Sequence, residues 1–151
     1  MEKNVAKYMT QQVMTASPAK LVYMLYDRAI ASLREAIDAI EKGEIEKRWR
    51  ANKRAIDILE HMWSTLDVDR GGAIGENLNR LLPYMMLRLP DVDIRNDPAP
   101  AQEVIVLLEP LRDAWREIAL KGSGSGETRA TASTQAGYPQ SSNAERTIIS
   151  A

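Results

Sequence analysis

From Pro18 to Lys42 the apolar residues recur at the spacing of one helix face, and a start and a stop signal bracket the run. Leu21, Val22, Leu25, Tyr26, Ala29, Leu33, Ala36, Ile37 and Ile40 share one side when successive residues are placed about 100° apart. Ser17 is positioned to accept from the first free backbone N–H groups, and Pro18 stands at the first helical position, where its missing N–H costs nothing. Lys20 occupies the position where a capping box would want Glu or Gln. Gly43 supplies a left-handed stop. A long helix with one apolar stripe must lay that stripe on other helices, so the chain is steered toward a bundle.

Three further segments carry the same period. The second runs from about Glu44 to Leu66, with Ile45, Trp49, Ile56, Leu59, Trp63 and Leu66 on one stripe, and its near-absent connection to the first predicts an antiparallel hairpin. The third begins near Gly72 and turns Ile74, Leu78, Leu81, Leu82, Met85 and Leu89 inward. The fourth spans about Pro100 to Leu120, using Val104, Leu107, Leu108, Leu111, Trp115 and Ile118. No stretch alternates with period two for long enough to be a strand. The fold class expected is all-α, an antiparallel up-and-down four-helix bundle over residues 18–121. Pro83 and Pro110 fall inside helices three and four, where each removes a backbone hydrogen bond at roughly 3 kcal/mol. Kinks, or a break near Leu82, are expected, with Gly75 loosening the same helix.

Flanking this domain, residues 1–17 read as a mobile N-terminal arm and residues 122–151 as a flexible tail. The tail opens with GSGSG at 122–126, native or an engineered joint, and is poor in large apolar residues, so it cannot offset the entropy of ordering. The net charge of −1 disfavours nucleic acid or an anionic membrane as partner. The chain has no cysteine, which removes disulfides and thiolate chemistry and fits a reducing compartment. No signal-type run and no span of ~18 apolar residues is present, so a soluble cytoplasmic protein is the simplest expectation.

Catalysis finds little support. His61 stands alone in helix two, without a nucleophile at a readable spacing, and no Cys or His pairs suggest a transition metal. Asp91, Asp93 and Asp97 lack the glycine and terminal glutamate of a calcium loop. Gly71-Gly72 precedes a helix without a P-loop lysine. The chain is therefore expected not to be an enzyme and to need no cofactor. Lys47, Arg48, Arg50, Lys53 and Arg54 read as a solvated face, with Trp49 turned to the core and unavailable for base stacking.

Binding is better supported. Tyr23 and Met24 do not belong to the first stripe; Met24 falls among Lys20, Asp27, Arg28, Ala31 and Glu35, on the wet face. Ile30, Ile58, Tyr84, Leu87, Ile105 and Val106 lie at the edges of the stripes or off them. A bundle with broad buried faces accounts for any one of these. Together they suggest a groove for amphipathic helices of a partner. Val5, Tyr8, Met9, Val13 and Met14 are apolar residues of the N-terminal arm, ahead of helix one.

Four segments in register over residues 5 to 118 resemble the flagellar secretion chaperones of the FliS family. S-P-x-K-L-V-x-M-L-Y-D from Ser17 to Asp27 is similar to that family's first helix. Asp69-Arg70-Gly71-Gly72 with Ile74 and Asn77-Leu78 resembles its turn into the third long helix. Tyr84-Met85 with Arg88-Leu89 is similar to the stretch that follows, and Glu103-Val104-Ile105, Leu107-Leu108 and Leu111 to Trp115 resemble the closing helix. The two interior prolines depart from the pattern. The resemblance implies a chaperone that holds the disordered C-terminal region of flagellin before export, prevents premature polymerisation, and meets the flagellar export gate as the flagellin complex. It also implies that the arm, where Val5 and Tyr8 match an I/V-x-x-Y pattern, covers the groove until the client arrives. Val5, Tyr8, Val13, Met14, Tyr23, Met24, Ile30, Ile58, Tyr84, Leu87, Ile105 and Val106 are the expected partner-binding residues. A monomer or weak homodimer is expected. The competing reading is a general four-helix interaction module that sequesters another protein.

Overall fold

The structure is a computed structural model and describes residues 17–124. Its elements are α1 (Pro18–Lys42), α2 (Ile45–Ser64), α3 (Val68–Arg88), a short α4 (Pro90–Ile94) and α5 (Ala99–Gly124). The four long helices form an up-and-down bundle. Among the described residues there is no strand.

The signals at the ends of α1 act as the sequence suggests. Ser17 Oγ accepts from the Lys20 N–H at 3.2 Å. Gly43 adopts φ 70° and ψ 22°, and the N–H groups of Gly43 and Glu44 return to the Ile40 and Ala39 carbonyls at 3.2 and 2.8 Å. That compact stop turns the chain directly into α2. Helix α1 packs along both α2 and α5. Arg54 meets Glu35 across the first contact at 3.0 Å; Arg34–Glu109 at 2.8 Å and Arg112–Asp27 at 3.1 Å run along the second.

Helix α2 is rotated from its expected setting. Its inward face carries Arg48, Ala51, Asn52, Ala55, Leu59 and Met62. Ile45, Trp49 and Trp63, expected inside, are 66%, 51% and 43% exposed. The hairpin core is built from small residues, Ala29 and Ala36 on α1 with Ala51 and Ala55 on α2, all without exposed surface. Side chains of that size let two helices approach closely, and indole rings at the same positions would hold them apart. Trp63 instead donates Nε1–H to Asn79 Oδ1 of α3 at 3.0 Å.

Helix α3 starts earlier than expected, capped by Asp67 Oδ1 accepting from the Arg70 N–H at 3.2 Å. It breaks at Gly72, whose φ of 60° and ψ of −139° suit glycine alone, and then continues to Arg88. Gly75 is a packing residue, because a Cβ there would stand 3.0 Å from the Val68 carbonyl oxygen and 3.2 Å from its Cα. The expected break near Leu82 does not occur. Leu78, Leu82 and Met85 are buried on either side of Pro83, and this packing holds the helix through the lost hydrogen bond. Helix α5 likewise runs across Pro110 without interruption.

The short α4 was not anticipated. Pro90 opens it and Val92 is buried beneath it. Arg48, expected on a solvated face, is only 9% exposed and binds α4 to α2: Nε donates to Asp93 Oδ1 at 3.0 Å and Nη1 to Asn96 Oδ1. Asn52 Nδ2 donates to the Leu89 carbonyl at 2.9 Å and to Asp93 Oδ2 at 3.0 Å. Asp97 accepts from the Ala99 N–H at 2.9 Å at the start of α5. Two of the aspartates considered for a calcium loop are thus engaged in docking and capping.

Candidate partner-binding surfaces

Helix α3 rests mainly on α2 and touches α5 sparingly. The clearest tie lies near its C-terminal end, where the Tyr84 hydroxyl donates to Glu103 Oε2 and Arg88 Nε donates to Glu103 Oε1 at 2.7 Å. The Tyr84 bond, then the Arg88 bond, holds the Glu103 carboxyl below the usual carboxylate range, because both favour its charged form. The same carboxylate raises the Tyr84 phenol, since it accepts the proton that ionisation would remove.

Residues seven apart lie nearly in line on a helix, so Ile74 and Leu81 share the edge of Arg88 that faces α5. On α5, Leu107 and Leu111 follow Glu103 at intervals of four. All four are half-buried and packed on the core from one side only. Next to this seam stand the exposed Tyr84, Leu87 and Val106, at 44%, 80% and 65%. Fully burying one such aliphatic side chain is worth about 1.5–3 kcal/mol before ordering costs, so this edge gains most if an apolar helix covers it.

A second concavity lies between α1 and α2. Arg28, Ala31, Ser32 and Glu35 of α1, with Arg54 of α2, line a space of about 320 Å³. Arg54 Nη1 reaches Glu35 Oε2 at 3.0 Å and Ser32 Oγ at 3.5 Å. Met24 precedes Arg28 by one turn, and Ile58 follows Arg54 by one turn, so both half-buried residues extend the same groove.

The expected partner-binding residues therefore do not line one groove. Tyr84, Leu87 and Val106 belong to the α3–α5 edge, and Met24 and Ile58 to the α1–α2 groove. Tyr23 is half-buried against the core. Ile30 has no exposed surface and Ile105 is 9% exposed; both are core residues, because the buried faces of α1 and α5 are broader than a single stripe. Val5, Tyr8, Val13 and Met14 lie outside the described residues. Ile74, Leu81, Leu107 and Leu111 are boundary residues that periodicity assigns inward without showing that α3 and α5 leave them half-covered. The exposed pair Ile45 and Trp49 was missed for the opposite reason, since large apolar residues look inward to any hydropathy pattern. Trp49 consequently does not serve to exclude base stacking.

The chain matches the family model described as "Flagellar protein FliS" over residues 1–122. It is 38% identical over 112 residues to the flagellar secretion chaperone FliS of Salmonella typhimurium, covering 74% of this chain and 83% of that one. It is 33% identical over 104 residues to the flagellar secretion chaperone FliSB of Pseudomonas aeruginosa, covering 69% and 82%. It is also 30% identical over 110 residues to the FliS of Bacillus subtilis, covering 73% and 81%. Among the described residues no helix is long and apolar enough to cross a membrane.

Proposed function

Because this chain belongs to the FliS family, whose relatives are named flagellar secretion chaperones, we propose that it binds the disordered C-terminal region of flagellin in the cytoplasm. The observation that carries the reading is the α3–α5 edge, where Leu81, Leu107 and Leu111 are half-covered beside exposed Tyr84, Leu87 and Val106. An amphipathic client segment gains helical order as it buries that edge, at an ordering cost of about 2–5 kcal/mol or more. Covering the segment through which flagellin subunits associate prevents premature polymerisation, and holding it extended along the bundle keeps the client secretion-competent. The flagellar export gate then receives the complex. The chaperone acts by binding alone, with no bond made or broken.

The N-terminal arm, residues 1–17, is assigned the role of a competitor. Val5, Tyr8, Val13 and Met14 supply it with apolar side chains, and its occupancy of the client surface lowers apparent affinity in proportion to the time it is docked. The direct test is a seeded flagellin polymerisation assay with the full chain added. Suppression that saturates at one chain per flagellin supports the reading. Undiminished filament growth at saturating chain refutes it, and leaves a bundle that sequesters some other protein.

A further inference from the structure

We propose that the groove between α1 and α2 is a second docking site, separate from the α3–α5 edge, which takes an acidic amphipathic helix of a protein partner. The inference does not depend on the identity of the client at the α3–α5 edge.

The groove has two parallel lines of side chains. Met24, Arg28, Ala31 and Glu35 follow one another down α1 at spacings of four, three and four; Lys47, Arg50, Arg54 and Ile58 do so down α2 at three, four and four. Between them the floor is small, with Ala31 exposed and Ser32 nearly buried, which leaves the space of about 320 Å³ for anchoring side chains. Met24 and Ile58 offer apolar contact at one end, and methionine adapts to irregular surfaces.

Charge supplies the chemistry of the occupant. The groove's own acids are already engaged, Glu35 with Arg54 at 3.0 Å and Asp38 with Lys42 at 3.1 Å. Arg28, Lys47 and Arg50 form no ion pair among the described residues. A protein of net charge −1 thus keeps three unpaired cations along one small-floored groove with apolar residues at one end. Such a groove complements a helix with an aliphatic stripe flanked by carboxylates. It suits nucleic acid less well: neither line carries an aromatic, and Trp49, five residues before Arg54, lies about 140° away around α2.

The probe is a fluorescein-labelled helical peptide of about 18 residues with a leucine stripe flanked by glutamates. Its controls are a lysine-flanked twin, a glutamate-flanked version with a serine stripe, and a single-stranded DNA of similar length. Anisotropy titrations with the full chain should show binding of the first probe that weakens with added salt. Each control should bind at least about tenfold more weakly. Arg28→Glu/Arg50→Glu should weaken the first probe about tenfold, with unchanged helix content and melting. The same variant should leave affinity for a flagellin C-terminal peptide unchanged, and Leu87→Glu/Val106→Glu should leave the acidic probe unaffected. Absent binding of the acidic probe, equal binding of either peptide charge or of DNA, or no effect of the charge reversals would overturn the proposal. So would a parallel loss of flagellin-peptide binding, which would make this groove part of the client surface.

Discussion

Replacing Asp93 with alanine should cost about 2–3 kcal/mol, because it strands a charge that the fold has removed from water. The Arg48 side chain is 10% exposed and that of Asp93 22%. Breaking a fully buried pair typically costs about 3–5 kcal/mol, and the partial exposure here lowers the figure. Arg48 would keep only Asn96, and Asn52 only the Leu89 carbonyl. Against a total stability of roughly 5–15 kcal/mol the loss is large, and a domain of this size should melt about 10–20 °C lower. The double variant Arg48→Met/Asp93→Leu removes both charges and should recover to within about 1 kcal/mol of the parent. Urea unfolding followed by circular dichroism, with equal slopes for all three proteins, reads both quantities. A loss below about 0.5 kcal/mol for Asp93→Ala, or a double variant no better than the single, would refute the reasoning.

Three further outcomes follow from the same geometry. Gly75→Ala should destabilise by about 1 kcal/mol in urea unfolding, since the Val68 backbone 3.0 Å away outweighs the usual helix gain of alanine; a more stable variant would show that the first turn of α3 yields freely. Ile30→Glu should cost several kcal/mol or prevent folding, whereas Val106→Glu should change stability by less than about 0.5 kcal/mol, so matched melting curves would contradict the assignment of core and edge. Glu103 has a folded pKa below its unfolded value of about 4.3, so its tie to Tyr84 and Arg88 is fully present above that pH and is lost as pH falls through the lower folded value. Side-chain carboxyl shifts in an NMR titration should place Glu103 below an ordinary glutamate, and Tyr84→Phe should move it back upward; an unmoved midpoint would remove Tyr84 as the principal cause.

Backbone-level features were the most legible in the sequence. The Ser17-Pro18 start and the Gly43 stop bound α1 through local chemistry that no tertiary contact needs to supply. Apolar period was enough to place four long helices, and Leu78, Leu82, Met85, Leu108 and Trp115 in their core. What failed was the choice of face on α2. There, close approach through Ala51 and Ala55 decided the rotation, and hydropathy ranks alanine below tryptophan. The buried Arg48 was illegible because its partners lie far along the chain, Asp93 on a helix of five residues that has no period to read and Asn96 in the turn just after it. Off-stripe apolar residues were a sound signal of surface only in part. Leu87 and Val106 are exposed, but Ile30 and Ile105 close the core, because the buried faces of α1 and α5 are broader than a single stripe yet do not reach round to Val106.

The central claim is tested most directly by calorimetric titration of the full chain with the last ~40 residues of its own organism's flagellin, at several temperatures. The reading predicts one-to-one binding with a negative heat-capacity change, as apolar burial requires, weakened by Leu87→Glu/Val106→Glu without loss of helix content. No binding, repeated after removal of residues 1–14 to exclude competition by the arm, would contradict it.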